Sequence, residues 1–152
     1  MPDGAPSGFP LAAAARTPLV TRGVCRLLRA MGYGVLTEFP LRNGRRADAL
    51  ALGGNGHVLA VEVKTSVADF RGDGKWPHYR DFCDEFYFAV PPDFPQAILP
   101  ADCGLILADA HDAAMIRAAP PHRLHPSRRR ALTLQFALLA SGRLQRMADP
   151  EP

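Results

Sequence analysis

Residues 46–64 read RADALALGGNGHVLAVEVK, and the folding of this stretch decides the rest of the chain. Side chains alternate between faces along a strand. In Val61-Glu62-Val63-Lys64-Thr65 the two valines therefore point one way, while Glu62 and Lys64 share the other. Residues 46–52 alternate as well, with Asp48, Leu50 and Leu52 set against three alanines. The intervening GGNG reads as a turn, so residues 46–52 and 57–64 are expected to be adjacent strands. Upstream, residues 34–41 (GVLTEFPL) alternate too, and Asn43-Gly44 within NGRR is a hairpin signal. Three strands joined by two short glycine turns predict an antiparallel meander.

Further out, Thr17-Pro18 suits a helix start, with Thr as the cap and Pro in the first turn. Val20, Val24, Leu27, Leu28 and Met31 follow at helical spacing and Gly32 closes the pattern, while Arg22, Arg26 and Arg29 form a second stripe. Residues 65–76 read as a polar loop, about 77–84 as a short helix, and EFYFAV (85–90) and GLILAD (104–109) as buried strands. AAMIRAA (113–119) reads as a strand or turn. Residues 128–144 predict a helix that is apolar over most of its circumference and hence packed into the core. The expected fold is α/β, a central mixed sheet containing the three-stranded meander and flanked by helices. Residues 1–16, rich in Pro, Gly and Ala, read as a disordered lead-in, 17–146 as one domain and 147–152 as a flexible tail.

A chain of 152 residues, 47% hydrophobic and 22% charged, suffices for one domain with a core. It has no apolar run of membrane-spanning length and no signal-peptide pattern at its start. Cys25, Cys83 and Cys103 are odd in number and widely spaced, which argues for a reducing compartment, the cytoplasm. The net charge of +3 conceals a pattern. Residues 1–46 carry seven arginines against Asp3 and Glu38, residues 47–112 carry eleven acids against four bases, and residues 113–152 carry seven arginines against Asp149 and Glu151. An acidic centre between basic ends suits a metal site flanked by surfaces that attract a polyanion, and it also suits ordinary charge scatter.

Adjacent antiparallel strands bring Asp48, Glu62 and Lys64 together on one face. Two close carboxylates repel each other unless a cation lies between them. A hard ion such as Mg²⁺ or Mn²⁺ takes such oxygen ligands and keeps several waters. Lys64 is placed to orient a water or to stabilise charge on a phosphate, and Glu38 on the first strand is a further candidate ligand. The plain alternative is a strand-face salt bridge, worth ~0–1 kcal/mol if exposed. In the following loop, Arg71 and Lys75 are candidate contacts to a nucleic-acid backbone, as are Arg22, Arg26 and Arg29 on the first helix and Arg128, Arg129 and Arg130 on the last. Trp76 and Tyr79 suit base stacking or, more simply, anchoring of their helix to the sheet. His122-x-x-His125 has zinc-like spacing without a nearby acid or thiolate and reads as polar surface.

An acid on one strand, a turn and then Glu-x-Lys on the next resembles the PD-(D/E)xK nuclease superfamily, with Ala47 where the motif's name has Pro. RADALAL, VEVKTSVADFRGDGKWPHYRDFCDEFYFAVP and GLILAD resemble the MmcB-like DNA repair proteins, a bacterial family of that superfamily, over about residues 17–140. The resemblance implies a restriction-endonuclease-like fold, a role in DNA repair, Mg²⁺ or Mn²⁺ as cofactor and DNA as partner, alongside other repair proteins. It implies Asp48, Glu62 and Lys64 as the catalytic motif, with Glu38 as the additional acid, since residues 18–31 contain none. Two rival readings stand beside a metal-dependent deoxyribonuclease: a non-catalytic DNA-binding scaffold that keeps the fold, and a hydrolase of a small phosphorylated metabolite. A homodimer that cuts both strands is also open, although no segment of the sequence announces a dimer face.

Overall fold

The computed structural model describes residues 13–74 and 76–151. Its centre is a six-stranded sheet in chain order: β1 (Gly34–Pro40), β2 (Arg46–Leu52), β3 (Val58–Val63), β4 (Glu85–Val90), β5 (Gly104–Ala108) and β6 (Ala113–Arg117). β1, β2 and β3 pair antiparallel, β3, β4 and β5 parallel, and β5 and β6 antiparallel. The sheet as a whole is therefore mixed, with the antiparallel meander confined to β1–β3. The reason lies after β3, where the chain runs through a short helix α2 (Val67–Arg71) and a 3₁₀ helix (Trp76–Phe82) before β4. That length permits a crossover and a parallel return, which a two-residue turn would not.

The tight turns form where the sequence places them. Gly44 in the β1–β2 hairpin has a φ of 82°, open to glycine at no steric cost, and the Leu41 N–H donates to the Arg45 carbonyl across it (2.7 Å). Burial then sorts the strands by position. β3 is buried at every residue, as befits a strand covered on both faces.

A helix α1 (Ala13–Ala30) covers one face, where Val20, Val24 and Leu28 pack with Ala49, Ala51, Leu59, Val61 and Val63. The helix approaches closely enough that a Cβ on Gly23 would lie 2.1 Å from the Asp109 carbonyl oxygen. The other face packs Leu50, Val58, Ala60, Phe86 and Phe88 against the 3₁₀ helix and a helix α3 (Pro126–Ala148). Trp76 and Tyr79 stack on Phe86 at centroid distances of 5.9 and 5.8 Å, so these rings anchor the 3₁₀ helix to the sheet.

Two helices differ from expectation. α1 begins at Ala13, ahead of Thr17, so Pro18 sits inside it; that position loses one backbone donor, and the Thr21 hydroxyl donates to the Thr17 carbonyl nearby (2.8 Å). Of the lead-in expected over residues 1–16, residues 13–16 belong to α1 instead, and residues 1–12 lie outside the described residues. α3 is not packed all round: Leu132 is buried and Phe136 and Leu139 pack on the core, whereas Leu134 and Leu138 are 59% and 75% exposed. It forms an outer layer, and only one stripe of such a helix meets the sheet. Side chains from its inner face reach β1, with Arg143 donating to the Thr37 and Glu38 carbonyls (2.7 and 3.1 Å) and Gln135 to that of Pro40 (2.6 Å).

Candidate functional site

The β2–β3 ladder runs from Leu52–Val58 to Ala49–Val61 and ends there. Beyond it, the Val63 N–H donates to Asp48 Oδ2 (2.7 Å), so a side chain takes the place of a ladder partner. The same register sets Asp48 opposite Glu62. On β1, Glu38 has a φ of 47° and lies between the pairs Thr37–Ala49 and Phe39–Ala47. That left-handed conformation costs a non-glycine residue on the order of 1–3 kcal/mol and tends to persist where function requires it.

The bend resets the alternation of both strands. Leu36 and Phe39 fall in the same core cluster, and so do Ala47 and Leu50, while Ala49 and Ala51 belong to the opposite face. The three alanines thus do not share a side. Glu38 and Asp48 instead border a cavity of about 350 Å³ with Thr17, Thr21, Arg22 and Cys25 of α1.

Glu62 is only 8% exposed, and its Oε2 is a buried atom with no hydrogen-bond partner. Burial, and then the neighbouring Asp48, push its carboxyl up to about 9, against smaller pulls from Tyr79 and Lys64. The Tyr79 hydroxyl, beside it, donates to the Arg46 carbonyl (3.0 Å), and burial followed by Glu62 raises the phenol above its ordinary range. The sequence marks Tyr79 as a base-stacking ring or an aromatic anchor; its contact with the site follows from the 3₁₀ helix crossing over β3.

Lys64 is buried on the same side, and its ammonium lies 2.9 Å from Asp73 and 3.7 Å from Asp69. Burial disfavours its charge, but the bond to Asp73 and the surrounding carboxylates outweigh that and hold it above its ordinary value. Lys64 is therefore a cation here. Asp69 is placed by the cap of α2, where the Ser66 hydroxyl accepts its N–H (3.1 Å).

The basic residues do not form one surface. Arg22, Arg26 and Arg29 are exposed on α1, with Arg22 at the cavity and Arg26 bonded to the His111 carbonyl (3.3 Å). Arg71 is exposed at the end of α2, and Lys75 lies outside the described residues. Arg128, Arg129 and Arg130 lie on α3, across the sheet from α1. Arg128 donates to the Asp81 carbonyl (2.8 Å) and covers the Phe82 ring, and Arg130 is exposed. Arg129 binds Asp84 through both nitrogens (2.6 and 2.7 Å), so its guanidinium is committed within the fold. Asp84 also accepts the Val58 and Leu124 N–H groups (2.8 and 3.1 Å), and its carboxyl lies well below the usual range because these bonds outweigh its burial.

Among the described residues no group of three or more His, Cys, Asp or Glu is gathered to hold a metal. His125 caps α3 by accepting the Ser127 N–H (3.2 Å), which accounts for one member of the His-x-x-His pair. Among the same residues no helix is long and apolar enough to cross a membrane.

Fold and site together define an α/β protein with two carboxylates and a lysine at a fork between antiparallel strands. The chain belongs to the MmcB-like DNA repair protein family, whose model matches residues 11–151. A solved structure from Silicibacter pomeroyi, the SPO1766 protein of unknown function, is similar at 43% identity with a TM-score of 0.84, covering 93% of this chain and 95% of that one. No curated protein matches.

Proposed function

We propose that this protein is a metal-dependent phosphodiesterase acting on DNA, with the restriction-endonuclease-like arrangement of the PD-(D/E)xK superfamily. The observation that carries this reading is Glu62 Oε2, a buried oxygen without a partner beside a second carboxylate. Such an atom costs about 1–3 kcal/mol when it is left unfilled. A divalent cation would fill it. Mg²⁺ is commonly held by one or two carboxylates with water and substrate phosphate completing its shell, and Asp48 with Glu62 fits that donor set without a third acid.

When bound, the ion supplies Lewis-acid polarisation of a phosphate and a more acidic water. Asp48 and Glu62 hold it, and Glu62 must lose its proton to do so. Lys64, charged and buried, stabilises negative charge developing on the phosphate; it serves as an electrostatic group rather than a base while Asp73 binds it. Glu38 completes the acidic rim of the cavity, and Arg22, Arg26, Arg29 and Arg71 draw in the DNA backbone. A cytoplasmic location accords with the scattered free cysteines.

One observation favours a second reading, the non-catalytic DNA-binding repair factor: the Lys64 ammonium is already paired with Asp73 and Asp69. The test is incubation with labelled single-stranded, duplex and flap DNA, with and without Mg²⁺ or Mn²⁺, beside Glu62→Ala and Lys64→Ala. Metal-dependent cleavage, lost by about 10²–10³-fold or more in both variants, supports the phosphodiesterase. Binding without cleavage, unchanged in both variants, supports the scaffold.

A further inference from the structure

α3 carries the largest run of exposed apolar side chains among the described residues: Leu134, Leu138, Leu144 and Met147 are 59%, 75%, 67% and 79% exposed. Leu134, Leu138, Ser141 and Gln145 recur at helical spacing on the side opposite Leu132 and Phe136, which face the core. Beside this stripe a cavity of about 650 Å³ runs along α3, floored by Ala131, Leu139 and Pro40 of β1. Exposed leucines beside an apolar cavity mark a candidate contact surface.

The charges of α3 say what the occupant is. Arg128, Arg129 and Arg130 stand at its N-terminus, while Asp149 and Glu151 follow its C-terminus. Positive charge at the N-terminus has the wrong sign for the helix dipole; at the other end Arg146 in the last turn has the right sign and Asp149 just beyond it the wrong one. A second α3 laid antiparallel brings an acid to the exposed Arg130 at each N-terminus. With the two-fold axis between Leu139 and Ala140, the exposed Arg130 lies across from Asp149 of the second copy, while Arg128 and Arg129 stay committed within their own chain. In the same register Leu138 meets the small Ser141, and Leu134 meets Gln145 beside Leu144. The pairing spans about 28 Å of helix at 1.5 Å per residue.

We propose that two copies of this chain associate through an antiparallel, two-fold α3–α3 contact seated on Leu134 and Leu138 and locked by Arg130 to Asp149 of the second copy. The interface is isologous, each patch meeting its own equivalent. A single helix pair buries less than the ~1,200 Å² of a standard interface, so the dimer is weak and depends on concentration. The contact leaves the α1-side cavity at Asp48 uncovered. It stands whether or not the site cleaves DNA.

Sedimentation equilibrium of the full chain over a wide concentration range tests it. The expected result is a monomer–dimer equilibrium, weakened about tenfold or more by Leu138→Glu, which sets a charge in the centre of the contact. Arg130→Glu alone weakens it by severalfold, and Arg130→Glu combined with Asp149→Arg restores it. Both positions are exposed, and unchanged melting temperatures establish that the variants fold. A monomer at every concentration overturns the proposal and leaves the stripe to a different partner. A dimer unmoved by Leu138→Glu overturns it too, as does a double reversal no tighter than Arg130→Glu.

Discussion

Strand β3 ends in a carboxylate at both extremities, and the two ends are opposites. At its start the Val58 N–H donates to Asp84, and at its end the Val63 N–H donates to Asp48. Asp84 also has Arg129 and the Leu124 N–H, so it remains ionised within the fold. The Asp48 end has a second acid where the Asp84 end has an arginine, and Glu62 keeps one oxygen without a partner. A buried acid with its lone pairs filled is scaffold. A buried acid with an unpartnered oxygen is repaid for its desolvation only in part, here by Tyr79 and Lys64, and under the proposed function a cation would supply the rest.

The contrast breaks most sharply in stability. Arg129→Ala leaves Asp84 buried without its countercharge and is expected to cost about 3–5 kcal/mol, the usual loss when one partner of such a pair is removed. In a chain of this size that lowers the melting temperature by roughly 6–20 °C, read by calorimetry. Glu62→Gln has the opposite sign at alkaline pH. The unfolded carboxyl ionises near 4.5 and the folded one near 9. Between those values the folded state binds more protons, so the wild type loses stability as pH rises through that window. Melting temperatures taken from pH 5 to 9 should show Glu62→Gln gaining on the wild type as pH increases. A parallel pair of curves would mean that Glu62 titrates normally.

A cation should remove that difference. Mg²⁺ or Mn²⁺ at about a hundredfold its dissociation constant stabilises the wild type by about 2.7 kcal/mol. The same addition leaves Asp48→Asn and Glu62→Gln unmoved, and the metal binds more tightly as pH rises because Glu62 must lose its proton. Calorimetric titration measures both. The smallest effect belongs to Glu38. Replacing it with glycine relieves the φ of 47° and should stabilise the fold by roughly 1 kcal/mol, within the range for such strain. If Glu38→Gly is destabilising instead, contacts of this side chain outweigh the strain.

The sequence shows the Asp48–Glu62–Lys64 end better than the Asp84 end. Period-two alternation and two glycine turns suffice to place β1, β2 and β3, and the site residues sit on those strands. Asp84 and Arg129 are 45 residues apart with no periodic relation, so only the packing of α3 joins them. The pairing of Lys64 with Asp73 likewise depends on how the loop after β3 folds back. The reset of faces at Glu38 is hidden because alternation presumes a regular backbone, and nothing in GVLTEFPL marks a left-handed residue. The exposed side of α3 is misread for a different reason: leucines on both sides of a helix suggest full burial, and composition cannot tell a core from a contact surface.

Arg143 and Gln135 have one more consequence. β1 is one of the two edge strands of the sheet, and an edge strand offers unpaired carbonyls to any extended peptide that drifts by. Here α3 occupies those of Thr37, Glu38 and Pro40. The helix thereby acts as a guard against fibril growth, and a chain that loses its grip on β1 would be expected to aggregate before it unfolds.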